Sequence, residues 1–254
     1  MATRTITKAE GVADVNSWEY AFKNQADGDV FNVTADLTFV TDNLANGKGS
    51  IMWELNTNTT IQTDGPLRVV DFGGMYYLRS NGQAAGTTIT IDDLHLKNGE
   101  PGKDLVVWIT NSGAITATMT DCIVSGADQI GIQVTQQLST NHALSVALTR
   151  VTSSGNGYNG LAVTNSESVN AVDAVVACTD CNFTGNGYSG IIAAQEHGVY
   201  ISHDGSAGKI IFSASGGRIA GNKGDPIYTD AGSGTIEIPT FSGVKINDVR
   251  QVTM

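Results

Sequence analysis

The stretch Ser154-Gly-Asn-Gly-Tyr-Asn-Gly-Leu161 returns almost letter for letter as Thr184-Gly-Asn-Gly-Tyr-Ser-Gly-Ile191, thirty residues on. Self-similarity at a fixed period of roughly 20–50 residues marks a solenoid, in which each repeat buries its apolar face only against its neighbours. Alignment on this element exposes further copies. Thr118-Met-Thr-Asp-Cys-Ile-Val-Ser-Gly126 matches Ala147-Leu-Thr-Arg-Val-Thr-Ser-Ser-Gly155 and Ala177-Cys-Thr-Asp-Cys-Asn-Phe-Thr-Gly185. Looser copies run from Thr90 to Asn98 and from Ser213 to Gly221, giving spacings of 28, 29, 30 and 36. The longest spacing implies an insertion, placed near His203 to Gly208.

Within each copy the apolar residues fall in columns. Val146, Leu148, Val151 and Ser153 match Val176, Cys178, Cys181 and Phe183, with Ala117, Met119, Cys122 and Val124 one coil earlier. Strict alternation would step by two, but each set steps by three in its middle. That break predicts a corner between two strands at Thr120-Asp121, Thr149-Arg150 and Thr179-Asp180. After the Gly-Asn-Gly turn a third strand is predicted at Ile132–Thr135, Leu161–Thr164 and Ile191–Ala194. Three short strands per coil define an all-β, three-sided, right-handed parallel β-helix. Each strand then pairs with its equivalent one coil away, at about 4.8 Å.

The rest of the chain fits a single domain, 1–254. Residues 1–28 form an N-terminal arm and a capping helix, and residues 29–250 form seven to eight coils, a rod about 35–40 Å long. The helix is predicted over Asp14–Lys23, its Trp18, Tyr20, Ala21 and Phe22 covering the open end of the first coil. Asp29–Thr34 is the first strand beneath it. Further strands follow at 50–56, 59–63, 67–72 and 75–79, and the last ones lie within Gly234–Ile246. Thirty Gly against four Pro suit short strands and tight turns.

Charge narrows the partners. With 14 basic and 25 acidic residues the net charge is −11, which argues against nucleic acid and anionic membranes as partners. No apolar stretch approaches the ~20 residues of a membrane-spanning helix. Met1-Ala-Thr-Arg-Thr-Ile6 lacks the apolar core of a signal peptide, so either the protein works without such export or a leader has been removed. Three cysteines, an odd number, oppose a disulfide framework. Cys122 and Cys181 share a column two coils apart, about 9.6 Å, beyond the ~7 Å a bridge allows. Cys178-Thr-Asp-Cys181 lacks the further ligands a zinc site needs and reads as core packing.

The helix followed by Asn-Gly-turn coils resembles the pectate-lyase-like right-handed parallel β-helix superfamily, over about residues 14 to 246. That resemblance implies the fold; the superfamily includes pectin and alginate enzymes, phage tailspikes and bacterial adhesins. The opening Met1–Ile6 also looks like the start of phage structural proteins. The enzyme motifs are mostly missing. Asp92-Asp93 and His197-Gly198 are polygalacturonase-like but over a hundred residues apart, and Val107-Trp-Ile-Thr110 only faintly echoes the pectate-lyase motif.

Four side-chain groups carry candidate chemistry. Asn156, Asn186 and Asn222 fall in one column at the turn and read as a structural amide ladder. Tyr158 and Tyr188, in successive coils, are candidate glycan-binding rings, because sugar C–H groups meet an aromatic face. Trp53 and Trp108 are ambiguous between core and surface. The corner column Asp93, Asp121, Arg150, Asp180 reads as a ladder that cancels like-charge repulsion. In an enzyme reading, Asp121, Arg150 and Asp180 would supply a base and Ca²⁺ ligands, and His197 and His203 acid–base groups. The expectation is a non-enzymatic structural or adhesive protein without cofactor or metal. It would be a phage virion component: a capsid decoration, fibre or spike, acting at the virion or an extracellular surface. Its partners would be other protein subunits, in a homo-oligomer or virion array, and surface glycans. The alternative is a polysaccharide lyase or glycoside hydrolase of the same superfamily, with Ca²⁺ as a possible cofactor.

Overall fold

A computed structural model describes residues 1–40, 52–82, 86–99, 105–136, 142–165, 172–187, 196–205 and 208–246. Within them the chain winds through three parallel sheets of nine, eight and seven strands, a three-sided β-solenoid. The first sheet runs from Thr3–Ile6 and Asp29–Val33 to Lys209–Ser215 and Thr235–Ser242. The second runs from Leu37–Thr38 to Lys245–Ile246, and the third from Met52–Leu55 to Ile227–Asp230. Neighbours in each sheet are one coil apart in sequence, so every long-range pairing is also the local repeat.

The register reproduces the sequence columns. Thr90, Thr118, Ala147, Ala177 and Ser213 are successive partners in the first sheet. Their neighbours Ile91, Met119, Leu148, Cys178 and Ala214 point inward and are buried. In the second sheet Leu96, Val124, Ser153, Phe183 and Ile219 form the matching inner column. The third sheet contributes Leu78, Val107, Ile132, Leu161 and Val199. These columns merge into one continuous apolar core along the rod.

Each predicted corner is a single residue in the left-handed region. Asp93, Asp121, Arg150 and Asp180 have φ between 53° and 56°, and Gly216 and Gly243 continue the column at 67° and 66°. One such residue turns the strand without breaking the ladder: Asp121 N–H donates to Thr149 O at 3.0 Å, and Arg150 N–H to Thr179 O at 2.8 Å. Aspartate tolerates this conformation better than most residues and glycine best. The Gly-Asn-Gly element is the second corner. Gly126, Gly155, Gly185 and Gly221 take φ of 64° to 71° there, with Asn98 at 56° in the earlier coil.

The helix α1 spans Trp18–Lys23, starting later than the predicted Asp14. Ser17 caps it by accepting the Tyr20 N–H at 3.0 Å, while Asp14–Asn16 form the turn into it. Trp18, Ala21 and Phe22 are buried over the first coils, as expected, and Tyr20 lies outward under Arg4 at 5.7 Å. The arm holds a strand that sequence reading missed: Thr3–Ile6 pairs in parallel with Val30–Val33.

The insertion is also displaced from its predicted place. Asn156 and Asn186 are thirty residues apart, yet Leu161 pairs with Val199, thirty-eight residues on. Eight extra residues therefore precede the third-sheet strand, which is Val199–His203. The predicted strand Ile191–Ala194 lies outside the described residues. The final strands within Gly234–Ile246 are present at Thr235–Ser242 and Lys245–Ile246.

Candidate functional site

Three places gather polar or aromatic chemistry: the first corner, the amide ladders inside the turns, and the outer face of the third sheet.

At the first corner Arg150 reaches back to one coil-neighbour only. Its Nε and Nη2 donate to the two Asp121 carboxylate oxygens, each at 2.6 Å. The bidentate bond from Arg150 holds the Asp121 carboxyl below its ordinary value, and Asp121 in turn raises the guanidinium. Asp180, on the other side, influences Arg150 through charge alone. Asp92 is pushed up, chiefly by partial burial and then by the negative charges of Asp93 and Asp121. Carboxylate oxygens of Asp92, Asp93 and Asp121 lie within 4.8 Å of one another, near enough to share a cation. Both Asp121 oxygens already receive Arg150, so a cation would compete with a fixed guanidinium there.

The amide ladder is internal. Asn156 Nδ2 donates to Asn186 Oδ1 at 3.0 Å, and Asn186 Nδ2 to Asn222 Oδ1 at 2.9 Å. The same oxygens accept the backbone N–H of Asn156 and Asn186, and Asn222 Nδ2 closes the series on Phe183 O. A second ladder, unforeseen, lines the end of the third sheet with the register partners Asn111, Gln136, Asn165 and His203, all buried. Asn111 donates to His142 O and Gln136 to Val172 O, each just before the first-sheet strand that follows the neighbouring coil, and His203 Nε2–H to Gly208 O in its own connection.

These bonds revise the histidine expectation. His203 is fully buried in a structural ladder, with no surface from which to exchange protons with a substrate. His197 is 5% exposed, and its Nδ1 accepts the Asp225 N–H at 3.0 Å. Its backbone N–H donates to Asn159 Oδ1 at 3.0 Å, so it is one rung of a third column, Asn159–His197–Asp225. The two histidines occupy opposite ends of one third-sheet strand, and neither approaches the aspartate corner, which joins the other two sheets.

The tyrosine expectation changes as well. Tyr158 is 2% exposed, so its ring offers no open face to a sugar. It stands in the tight Asn156–Gly160 turn, its backbone N–H bonded to Gln129 O at 2.6 Å in the preceding coil. Tyr188 lies outside the described residues. An aromatic pair in successive coils exists elsewhere: Tyr200 and Tyr228 are register partners, parallel within 2° and 5.7 Å apart. Their spacing of 28 residues, one coil period, was the signal that would have found them. At the other end of the same face the Arg79 guanidinium lies 4.7 Å over the Trp108 ring, and Trp108 Nε1–H donates to Thr135 Oγ1. Trp53 packs against the core instead, among Phe22, Phe39 and Tyr76.

All three cysteines are free and buried. Burial pushes the Cys122 thiol up to about 12, and Cys178 is raised by donating its proton to Cys181 and by burial, so both stay protonated core groups.

Compared with protein-family models, with curated proteins and with solved structures, the chain matches none.

Proposed function

We propose that this chain is a non-enzymatic structural or adhesive rod, a component of a phage particle that presents rigid faces to other protein subunits or to glycans. One observation supports this reading above others: four of the five side chains the enzyme reading would use, Asp121, Arg150, His197 and His203, already have hydrogen-bond partners within the rod. Arg150 and Asp121 close a bidentate pair at a strained corner. His203 secures the chain at Gly208, and His197 secures it at Asp225. A general base needs a lone pair within reach of substrate, and these lone pairs are engaged or buried. The resemblance to β-helix tailspikes and adhesins and the absent enzyme motifs point the same way.

Two measurements test the proposal. Mass spectrometry of gradient-purified particles from the organism carrying the gene is expected to find this chain as a stoichiometric component. Incubation with acidic and neutral polysaccharides is expected to release neither reducing ends nor unsaturated products. Cleavage that disappears in folded Arg150→Ala or His197→Ala protein would overturn the reading in favour of the lyase or hydrolase.

A further inference from the structure

The outer face of the third sheet ends in three stacked rings. His197 precedes Tyr200 by three residues in the same coil; their centroids are 6.1 Å apart and their planes 11° apart. Tyr228, one coil on, lies 4.7 Å from His197 at 9° and 5.7 Å from Tyr200 at 2°. Both ring partners of Tyr228 thus come from the preceding coil and cover one of its faces. Its own strand, Ile227–Asp230, is the last of the sheet among the described residues, and Tyr228 remains 38% exposed.

The support behind the rings is rigid. The His197 backbone is tied to Asn159 Oδ1 through its amide N–H, and its ring is held by the Asp225 N–H donating to Nδ1. Beside it Glu196, almost fully buried, holds Lys223 Nζ at 2.5 Å. A ring locked in this way loses little rotamer freedom when something stacks on it. Exposed carboxylates flank the platform: Asp225 at the turn, and Asp230, two residues beyond Tyr228 and so on the same face of the strand.

A flat apolar face rimmed by hydrogen-bond acceptors matches one ligand chemistry well. A pyranose ring has a C–H face that stacks on an aromatic ring, and equatorial hydroxyls that donate to carboxylates. The same carboxylates, on a chain of net charge −11, repel anionic sugars and phosphates. We propose that Tyr228, backed by Tyr200 and His197, is a binding platform for a neutral saccharide, with Asp225 and Asp230 accepting its hydroxyl protons. The proposal rests on the display function above and names the ligand class at one face of the rod.

The test is saturation-transfer NMR and calorimetry on the whole chain. The probes are neutral tetrasaccharides of β1→4-linked glucose, β1→4-linked N-acetylglucosamine and α1→4-linked glucose. Saturable binding of at least one is expected. Tyr228→Ala should weaken it at least ~10-fold and Tyr228→Phe should leave it within about twofold, since the ring face and not the hydroxyl makes the contact. Circular dichroism of each variant checks that it is folded. Absence of saturable binding by the wild-type chain, or equal binding by Tyr228→Ala, overturns the site. So does a Tyr228→Ala effect confined to self-association in sedimentation, which would make the rings a protein interface. Cleavage of a tetrasaccharide would instead overturn the display reading, so the two failures are distinguishable.

Discussion

At Arg150 the backbone takes φ of 53°, a value that glycine and aspartate reach easily and a long cationic side chain does not. Its neighbours in the column are aspartates, and the charge it brings answers theirs through the paired bonds to Asp121. Both side chains are about half exposed, so solvent screens the attraction and backbone geometry governs what the position tolerates. Arg150→Gly is therefore expected to keep the melting temperature, and β-branched Arg150→Val to lower it, in thermal unfolding followed by circular dichroism. Asp29 is a different kind of carboxylate. It is 1% exposed and accepts the N–H groups of Ala2 and Ala26 and the guanidinium of Arg4. Burial alone would raise it; these bonds outweigh burial and hold it below the usual aspartate value of 3.8. A carboxyl depressed in the folded state adds stability that is present above its unfolded value and lost as pH falls through the folded one. Stability should thus fall below about pH 4 with Asp29 contributing, and Asp29→Asn should flatten that fall while lowering stability at pH 7 by about 1–3 kcal/mol. Urea unfolding of both proteins from pH 7 to pH 2.5 checks it.

The element that closes the rod is α1. Trp18 has no exposed surface and stacks on Phe22 at 4.7 Å, with Phe39 and Phe72 edge-on at 6.4 Å. Trp18→Ala should cost about 3–5 kcal/mol in urea unfolding, and Tyr20→Ala, on the outer side of the same helix, about 1 kcal/mol or less. Exposing the end of a parallel sheet should also make the Trp18 variant self-associate in sedimentation, since unpaired strand edges template further pairing. The columns and the corners were legible in the sequence because each repeats a local rule at a fixed period, and the cap because its apolar residues cluster within one helical stretch. The strand Thr3–Ile6 was not, because it is the first rung and has no earlier copy to align with. The displaced insertion had a similar cause. The sequence spacing sets Asn186 and Asn222 36 residues apart but not where within that span the extra residues lie, and the nearer apolar run Ile191–Ala194 matches the strand pattern as well as Val199–His203 does. The spacing of 28 between Tyr200 and Tyr228 is one coil period, but it marks a shared column only when Val199–His203 is the strand. Tyr158 failed for a different reason: a turn motif reveals the backbone path but not whether the neighbouring chain covers the ring.

In the whole molecule stability is expected to vary along the rod, because each coil is supported only by the coils on either side. In the first sheet the central strands have two partners and alternate buried with half-buried or exposed positions, as Ile115–Thr120, Leu144–Thr149 and Ala174–Thr179 show. The N-terminal end has α1 over it. At the other end, among the described residues, Thr235–Ser242 pairs on one side only, and most of its residues are exposed, Ile238 and Phe241 each to 40%. Ile227–Asp230 and Lys245–Ile246 are likewise the last strands of their sheets. Opening of this end breaks one row of backbone bonds and exposes little apolar area that is not already exposed, whereas opening a central coil breaks two rows and uncovers core. Native-state hydrogen exchange should therefore be graded, with Val146, Leu148 and Val176 amides slowest and those of 236–242 at least ~100-fold faster. The gradient also bears on the ring stack, because Tyr228 sits on a terminal strand while Tyr200 and His197 belong to the coil before it. If the saccharide binds as proposed, saturating it should slow exchange at 227–230 and leave 146–148 unchanged. Uniform exchange along the rod would instead mean that the chain opens as one unit and that its coils are not independently supported.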